Sequence, residues 1–404
     1  MIARSACLAT ARRAAAAGRA TAGPAVAALT AVVALAACSS AEKSGDPSKG
    51  GGDPHHVAVT ITAADGCITD RDTYAAGGLT FTITNRDATG VSEVELLAGE
   101  RIVGEKENLP PGFSGTFAVS AQPGGYTLYC PGAKTARTPF KVTGTATSTA
   151  STDTHALLVQ GTDDYAQYVT RQVGYLVAAV KPLSGALTRG DLAAAQVAYA
   201  KARSFYERIE PVAESFTAGT LRLDPAIDAR EGDVPAAQWT GFHRIEKGLF
   251  QQKSTAGLAT YGTGLLANVR KLQTLVKGLT YQPAELANGA VELLDEVSKT
   301  KITGEEERYS HIDLLDFQAN VEGSEQAFAN LQPALAEIDA TLAQTVTTAF
   351  NHVDSLLDKY RNAGEPSGFV RYGTLTAADK TAMAHAVQAV AEPLSRVASK
   401  VVNA

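Results

Sequence analysis

Methionine, tryptophan and cysteine are scarce in this chain of 404 residues, which has two methionines, one tryptophan and four cysteines. The methionines are Met1 and Met383, so a metal centre with an axial methionine finds no such ligand near Cys67 or Cys130, the two cysteines beyond residue 38. Basic residues are outnumbered, with 36 Lys and Arg against 42 Asp and Glu and a net charge of −6. A nucleic-acid binder carries the opposite sign, and an acidic balance favours cations as partners. The motif H-E-x-x-H, which sets two imidazoles one helical turn apart around a catalytic zinc, is absent. Beyond residue 37 no apolar run reaches the ~18–20 residues that span a bilayer.

What is there begins with a leader. Residues 1–37 contain Arg4, Arg12, Arg13 and Arg19, no acidic residue, and otherwise mostly Ala, Val, Leu, Thr and Gly. A basic start followed by an apolar run is the pattern of a secretory signal peptide. The run ends in Leu35-Ala36-Ala37-Cys38, then Ser39-Ser40, and resembles the lipobox of bacterial lipoproteins. That resemblance implies a lipid on the Cys38 thiol, cleavage before it, and a protein exported and held at the outer face of the cytoplasmic membrane. Loss of the leader removes four arginine charges, which takes the net charge from −6 to about −10. Residues 38–54 are rich in Ser, Gly and Pro and read as a flexible tether.

From 55 to 144 the pattern is that of strands. Apolar and polar residues alternate over 55–62, 79–84, 115–120, 126–130 and 140–143, with Gly and Pro clusters between them. Short strands with regular turns predict an all-β Greek-key sandwich. The order of features resembles the cupredoxin fold, with Cys130 just after the penultimate strand. No His or Met follows Cys130 in its loop, so the blue-copper ligand set is missing. Two readings of Cys67 and Cys130 stay open. They form a structural disulfide, as exported proteins often do, or they join carboxylates from Glu93, Glu95, Glu100, Glu105 and Glu107 in a copper or iron site. The acidic run 93–107 otherwise reads as a solvated face.

After a Ser/Thr/Gly linker at 145–154, residues 155–404 are rich in Ala, Leu, Val and Gln at helical spacing. Helices are expected near 156–180, 191–216, 235–250, 255–279, 283–297, 311–332, 334–361 and 376–401, the second capped by Asp191. This is an all-α bundle large enough for two stacked sub-bundles. In the second helix Glu207, Glu210 and Glu214 form one acidic stripe. Arg203 is placed to pair with Glu207, and Pro211 kinks or breaks the run. Ser310, with Asp313 three residues on, reads as a capping-box-like start. Within the same domain stands the H-x-x-E of His243 and Glu246. Three residues apart on a helix, an imidazole and a carboxylate share one face, and together they suit a first-row metal ion.

The stretches YxKxRxxYExIEPVAE, DPxIDARE, GFHRIEKGLF and EEERYSHxDLxDFQANVEG resemble the imelysin-like family. The resemblance covers nearly the whole chain beyond the leader. It implies an iron site built on His243 and Glu246, with Glu207 and Glu210 from the preceding helix, Asp224 from the loop, and one of Glu305 to Glu307, placed here at Glu306. In the β module it implies metal ligands at Cys67, Glu93 and Cys130 with Glu105 or Glu107. Members with this domain order belong to iron-uptake systems, with a membrane iron permease and an exported haem peroxidase as partners. Iron, ferrous or ferric, is the implied cargo, and copper in the first domain could take an electron from ferrous iron. The family is also classed among peptidases, so a metallopeptidase is a second expectation. A protein that binds polysaccharide through a bridging metal is a third.

Overall fold

The computed structural model describes residues 53–91, 93–107, 109–146, 151–217 and 221–404. The leader at 1–37, the lipidation candidate Cys38 and the tether up to residue 52 lie outside the described residues. Among the described residues no helix is long and apolar enough to cross a membrane.

The first domain has nine strands: β1 His56–Thr62, β2 Gly66–Thr69, β3 Thr73–Ala75, β4 Gly77–Asn85, β5 Val94–Ala98, β6 Arg101–Lys106, β7 Ser114–Ala121, β8 Gly124–Tyr129 and β9 Arg137–Thr143. They form two sheets, ordered β2-β1-β4-β7 and β3-β9-β8-β5-β6. Alternation decides which residues face inward. Val57, Val59 and Ile61 of β1 and Leu79, Phe81 and Ile83 of β4 are buried between the sheets, where Phe81 stacks on Phe117 at 4.4 Å. Cys67 of β2 and Cys130, just past β8, are joined in a disulfide. This corrects the expectation of metal-ligating cysteines, because a sulfur bonded to sulfur is not a thiolate and does not serve as one of its metal ligands.

The acidic run is a solvated face only in part, with Glu100 exposed at the turn of the hairpin. Residues 94–106 fold as the β5–β6 hairpin, and Glu95 is buried. Its edge strand β6 lies against the helical domain. There Arg101 pairs with Glu285, Lys106 with Asp295 at 3.9 Å, and the Ile102 N–H donates to Ser215 O at 2.9 Å. Lys299 pairs with Glu107 at 2.6 Å.

The second domain is helical: α1 Thr152–Arg189, α2 Leu192–Glu207, α3 Glu210–Glu214, α4 Leu223–Asp228, α5 Gly241–Glu246, α6 Ala259–Leu275, α7 Pro283–Glu296, α8 Asp313–Ile338, α9 Ala340–Leu357, α10 Ala377–Leu394 and α11 Val397–Val401. The long helices α1 and α8 pack on each other, α1 also taking α2 and α6, and α8 also taking α7 and α9. Asp191 caps α2 through the Ala194 N–H. The expected helix 191–216 is two helices, because the chain breaks at Arg208-Ile209 and restarts with Pro211 in the first turn of α3, where a proline costs no hydrogen bond. By contrast, α1 and α8 run straight through Pro182 and Pro333. Both prolines are on the exposed side, where a freed carbonyl meets water. The capping box at Ser310 does not form. The Ser310 hydroxyl donates to Glu307 instead, and Asp313 accepts the Glu307 N–H at 3.1 Å.

Candidate metal centre

Helix α5 is short because its sequence starts at a turn glycine. Gly241 has φ +82°, and a Cβ there would collide with the Ile227 carbonyl at the end of α4. This close approach sets the first turn of α5 against α4, so that His243 Nε2 lies 3.6 Å from Asp228 Oδ1. One turn on, His243 Nδ1 meets Glu246 Oε2 at 3.3 Å. The other oxygen of Glu246 accepts the backbone N–H groups of Tyr309 and Ser310, both at 2.8 Å. That clamp brings the loop before α8 to the site, and His243 Nε2 stands 3.3 Å from Glu306 Oε1. The loop ends at His311, a non-glycine residue with φ +58°, a backbone state that has to be held by its surroundings.

Around this core seven buried carboxylates converge with the imidazole: Glu207, Glu210, Asp228, Glu246, Glu306, Glu307 and Asp316. They form four overlapping groups, each with ligand atoms within 4.8 Å of one another: Asp228·His243·Glu306, His243·Glu246·Glu307, Glu207·Glu306·Asp316 and Glu207·Glu210·Asp228. Two permanent cations sit inside. Arg203 reaches Glu306 at 2.9 Å, Glu307 and Asp316 at 3.1 Å, and also pairs with Glu207 and Asp228. Lys301 lies 3.2 Å from Glu207. Arg230, 27% exposed, covers Glu306 from the solvent side at 2.9 Å.

Burial and charge pull these groups apart. Burial pushes the carboxyls of Glu210, Glu307 and Asp316 well above their ordinary range. Burial also opposes ionisation of Glu306 and Asp228. Lys301, His243 and Arg203 outweigh it at Glu306, and Arg203 and His243 do so at Asp228, so both are held below the usual range. For His243 burial disfavours the imidazolium, but Asp228, Glu246 and Glu306 raise its pKa well above the ordinary value. The cluster therefore keeps both protons and charge, and a metal that entered would displace protons. Several buried atoms meet only ion-pair partners and make no well-aligned hydrogen bond: His243 Nε2 beside Glu306 and Asp228, the Glu207 oxygens beside Arg203 and Lys301, and Lys301 Nζ itself, while Asp316 Oδ1 makes no hydrogen bond. Buried polar atoms are rarely left so, and their grouping around one point fits a bound ion.

The structure thus brings together His243, Glu246, Glu207, Glu210 and Glu306. It leaves Asp224 outside every group. That carboxyl accepts from the Tyr206 hydroxyl, and burial with the neighbouring Asp228 raises its pKa to about 7. Asp228, one turn further along α4, takes its place. Glu307, one of the three glutamates that the resemblance offered, enters beside Glu306, whereas Asp316 and Lys301 are additions that no spacing in the sequence pointed to. In the β module, no group of metal-spaced donors among the described residues includes Glu93, Glu107 or either cysteine.

Residues 161–397 match the Imelysin family model. The chain is 39% identical over 330 residues to the iron uptake system component EfeO of Yersinia pestis, covering 80% of this chain and 86% of that protein. It is 38% identical over 350 residues to the protein of the same name from Escherichia coli strain K12, covering 85% and 91%. The Shigella flexneri protein of that name gives the same figures. With the helical domain matched almost from end to end and most of each relative covered, the chain belongs to the imelysin family.

Proposed function

We propose that this protein is an iron-binding component of an iron-uptake system, and that its helical domain captures iron in the carboxylate–imidazole cluster. One observation carries the reading. Seven carboxylates and one imidazole are buried together in four overlapping groups whose ligand atoms lie within 4.8 Å of one another. Hard oxygen ligands with a single nitrogen suit iron better than they suit a soft metal. His243 and Glu246 are the first ligands in this reading, with Glu306, Asp228, Glu207 and Glu210 completing the set as the ion's charge requires. The relatives named as iron-uptake components agree with it.

In this scheme the leader exports the chain, a lipid on Cys38 holds it at the membrane surface, and the bound iron passes to a membrane permease, with an exported haem peroxidase as a further partner. A catalytic zinc needs an open coordination position, and the guanidinium of Arg203 inside the cluster disfavours the peptidase alternative. The test is a titration of the purified protein with ferrous and ferric iron, followed by anomalous diffraction at the iron edge. An iron peak within coordination distance of His243 and Glu246 supports the reading. Iron bound only elsewhere, or hydrolysis of a peptide by the metal-loaded protein, overturns it.

A further inference from the structure

Lys301 is the one lysine that the fold buries completely within this cluster, and its geometry is unlike that of an ordinary ion pair. Its Nζ lies 3.2 Å from Glu207, 3.6 Å from both Glu210 and Glu306, and 4.0 Å from Glu296. Paired ammonium groups sit at about 2.7–2.9 Å from one carboxylate. Here a single ammonium is shared among four at longer range and hydrogen-bonds to none of them. That is how a caged ion sits. Two of the four, Glu207 and Glu306, belong to one of the ligand groups, and Glu207 and Glu210 to another.

The backbone is built to put it there. The five residues Val297–Lys301 form a π turn at the end of α7, closed by the Ile302 N–H on Val297 O at 2.9 Å. A π turn carries one residue more than an α turn and re-aims the side chains that follow, and such turns gather at functional sites. His243 and Glu246 are followed by a second one, Lys247–Gln251.

From this geometry we infer that Lys301 is a tethered cation that competes with the entering metal for the same carboxylate oxygens, and that it swings towards Glu296 when the metal takes them. The inference rests on the iron reading above. Arg203 is unsuited to that part, since its guanidinium is fixed on Asp316 by two nitrogens at 3.1 and 3.2 Å. A lysine stem has four flexible carbons and a compact charge that can move without breaking a fork of bonds. Glu296 offers the other berth. It is 17% exposed, the outermost of the four partners, and belongs to no ligand group. A built-in competitor lowers affinity and speeds release, which suits a protein that must give its cargo up.

The sign of one substitution separates competition from mere support. The full-length protein is titrated calorimetrically with Mn²⁺ and Ga³⁺, redox-stable oxygen-seeking probes, as wild type, His243→Ala, Lys301→Met and Glu296→Gln. Competition requires Lys301→Met to bind at least tenfold more tightly, with slower release to a chelator, although its metal-free form melts at a lower temperature. Glu296→Gln, part-exposed and outside the cluster, should bind about threefold more weakly, because the displaced lysine loses its berth. A folded Lys301→Met that binds no more tightly than wild type overturns the inference. If Lys301→Met does not fold, an unchanged affinity in Glu296→Gln overturns it. Wild type that binds neither probe, or binds both as well after His243→Ala, overturns the iron site itself, an outcome distinct from the first two.

Discussion

His243 Nε2 and Glu306 Oε1 lie 3.3 Å apart, although their elements are joined by a long excursion through α6 and α7. The contact exists because Glu246, one turn from the histidine, clamps the backbone of Tyr309 and Ser310. Imidazole, clamp and second carboxylate thus form one unit. His243→Ala is expected to weaken iron binding at least 100-fold in an equilibrium titration, with the circular dichroism spectrum preserved. Glu306→Gln should weaken it similarly and also lower the stability of the metal-free protein by about 3 kcal/mol, since Arg203, Lys301 and Arg230 lose a shared buried partner.

Arg203 is the electrostatic centre of the metal-free cluster. Arg203→Met leaves the carboxylates of Asp228, Glu306 and Asp316 facing one another in a dry interior. The expected cost is about 3–5 kcal/mol, read as a shift in the urea midpoint. An iron or gallium ion supplies the missing positive charge, so metal should raise the melting temperature of Arg203→Met more than that of wild type.

Gly241 makes the meeting of α4 and α5 possible. Gly241→Ala adds a Cβ where the Ile227 carbonyl already sits, at a φ that alanine avoids. Moving the two helices apart separates His243 from Asp228. The variant is expected to lose about 2 kcal/mol or more of stability and at least tenfold in metal affinity. Gly257→Ala gives a control for φ alone, since that glycine has φ +75° and nothing within 4 Å of an added Cβ.

The metal-free protein should be more stable near pH 5.5 than at pH 8. Burial raises Glu95 and Glu292 to about 8 and Glu285 to about 7, from 4.5. Between 4.5 and those values the folded state binds more protons than the unfolded one, so stability falls as pH rises through this window. His243, also raised, acts in the same direction above its ordinary value. Asp228 and Glu306 are lowered, and their contribution is lost only below the window. Glu292→Gln should recover about 1–2 kcal/mol at pH 8 and flatten the dependence, measured as melting temperature against pH.

The disulfide closes a long loop within the β module. Cys67→Ser with Cys130→Ser is expected to destabilise that domain by about 2–4 kcal/mol. Because neither sulfur is a free thiolate, iron uptake by the helical cluster should be unchanged in the same variant, as read by titration.

Much of this was legible in the sequence, for physical reasons. The strands alternate and the helices repeat at threes and fours, so β1, β4, β7, α1 and α9 follow from periodicity alone. The H-x-x-E likewise follows from helical spacing, and so does the Arg203–Glu207 pair. Three things were not legible. The hairpin β5–β6 looked solvated because its cover, α7, is far away in sequence. Asp228 and Asp224 are both on α4, and only the packing of Tyr206 against Asp224 decides which of them enters the cluster. Lys301 gave no signal, because its inward aim comes from a π turn that no sequence period encodes.

Helix α3 is five residues long, and its two ends do different work. At its start Glu210 stands within the cluster. Just past its end the Ser215 carbonyl holds the Ile102 N–H of the β module. One turn of helix is therefore all that separates a carboxylate of the cluster from the edge strand of the β module, so whatever fixes α3 in place fixes both.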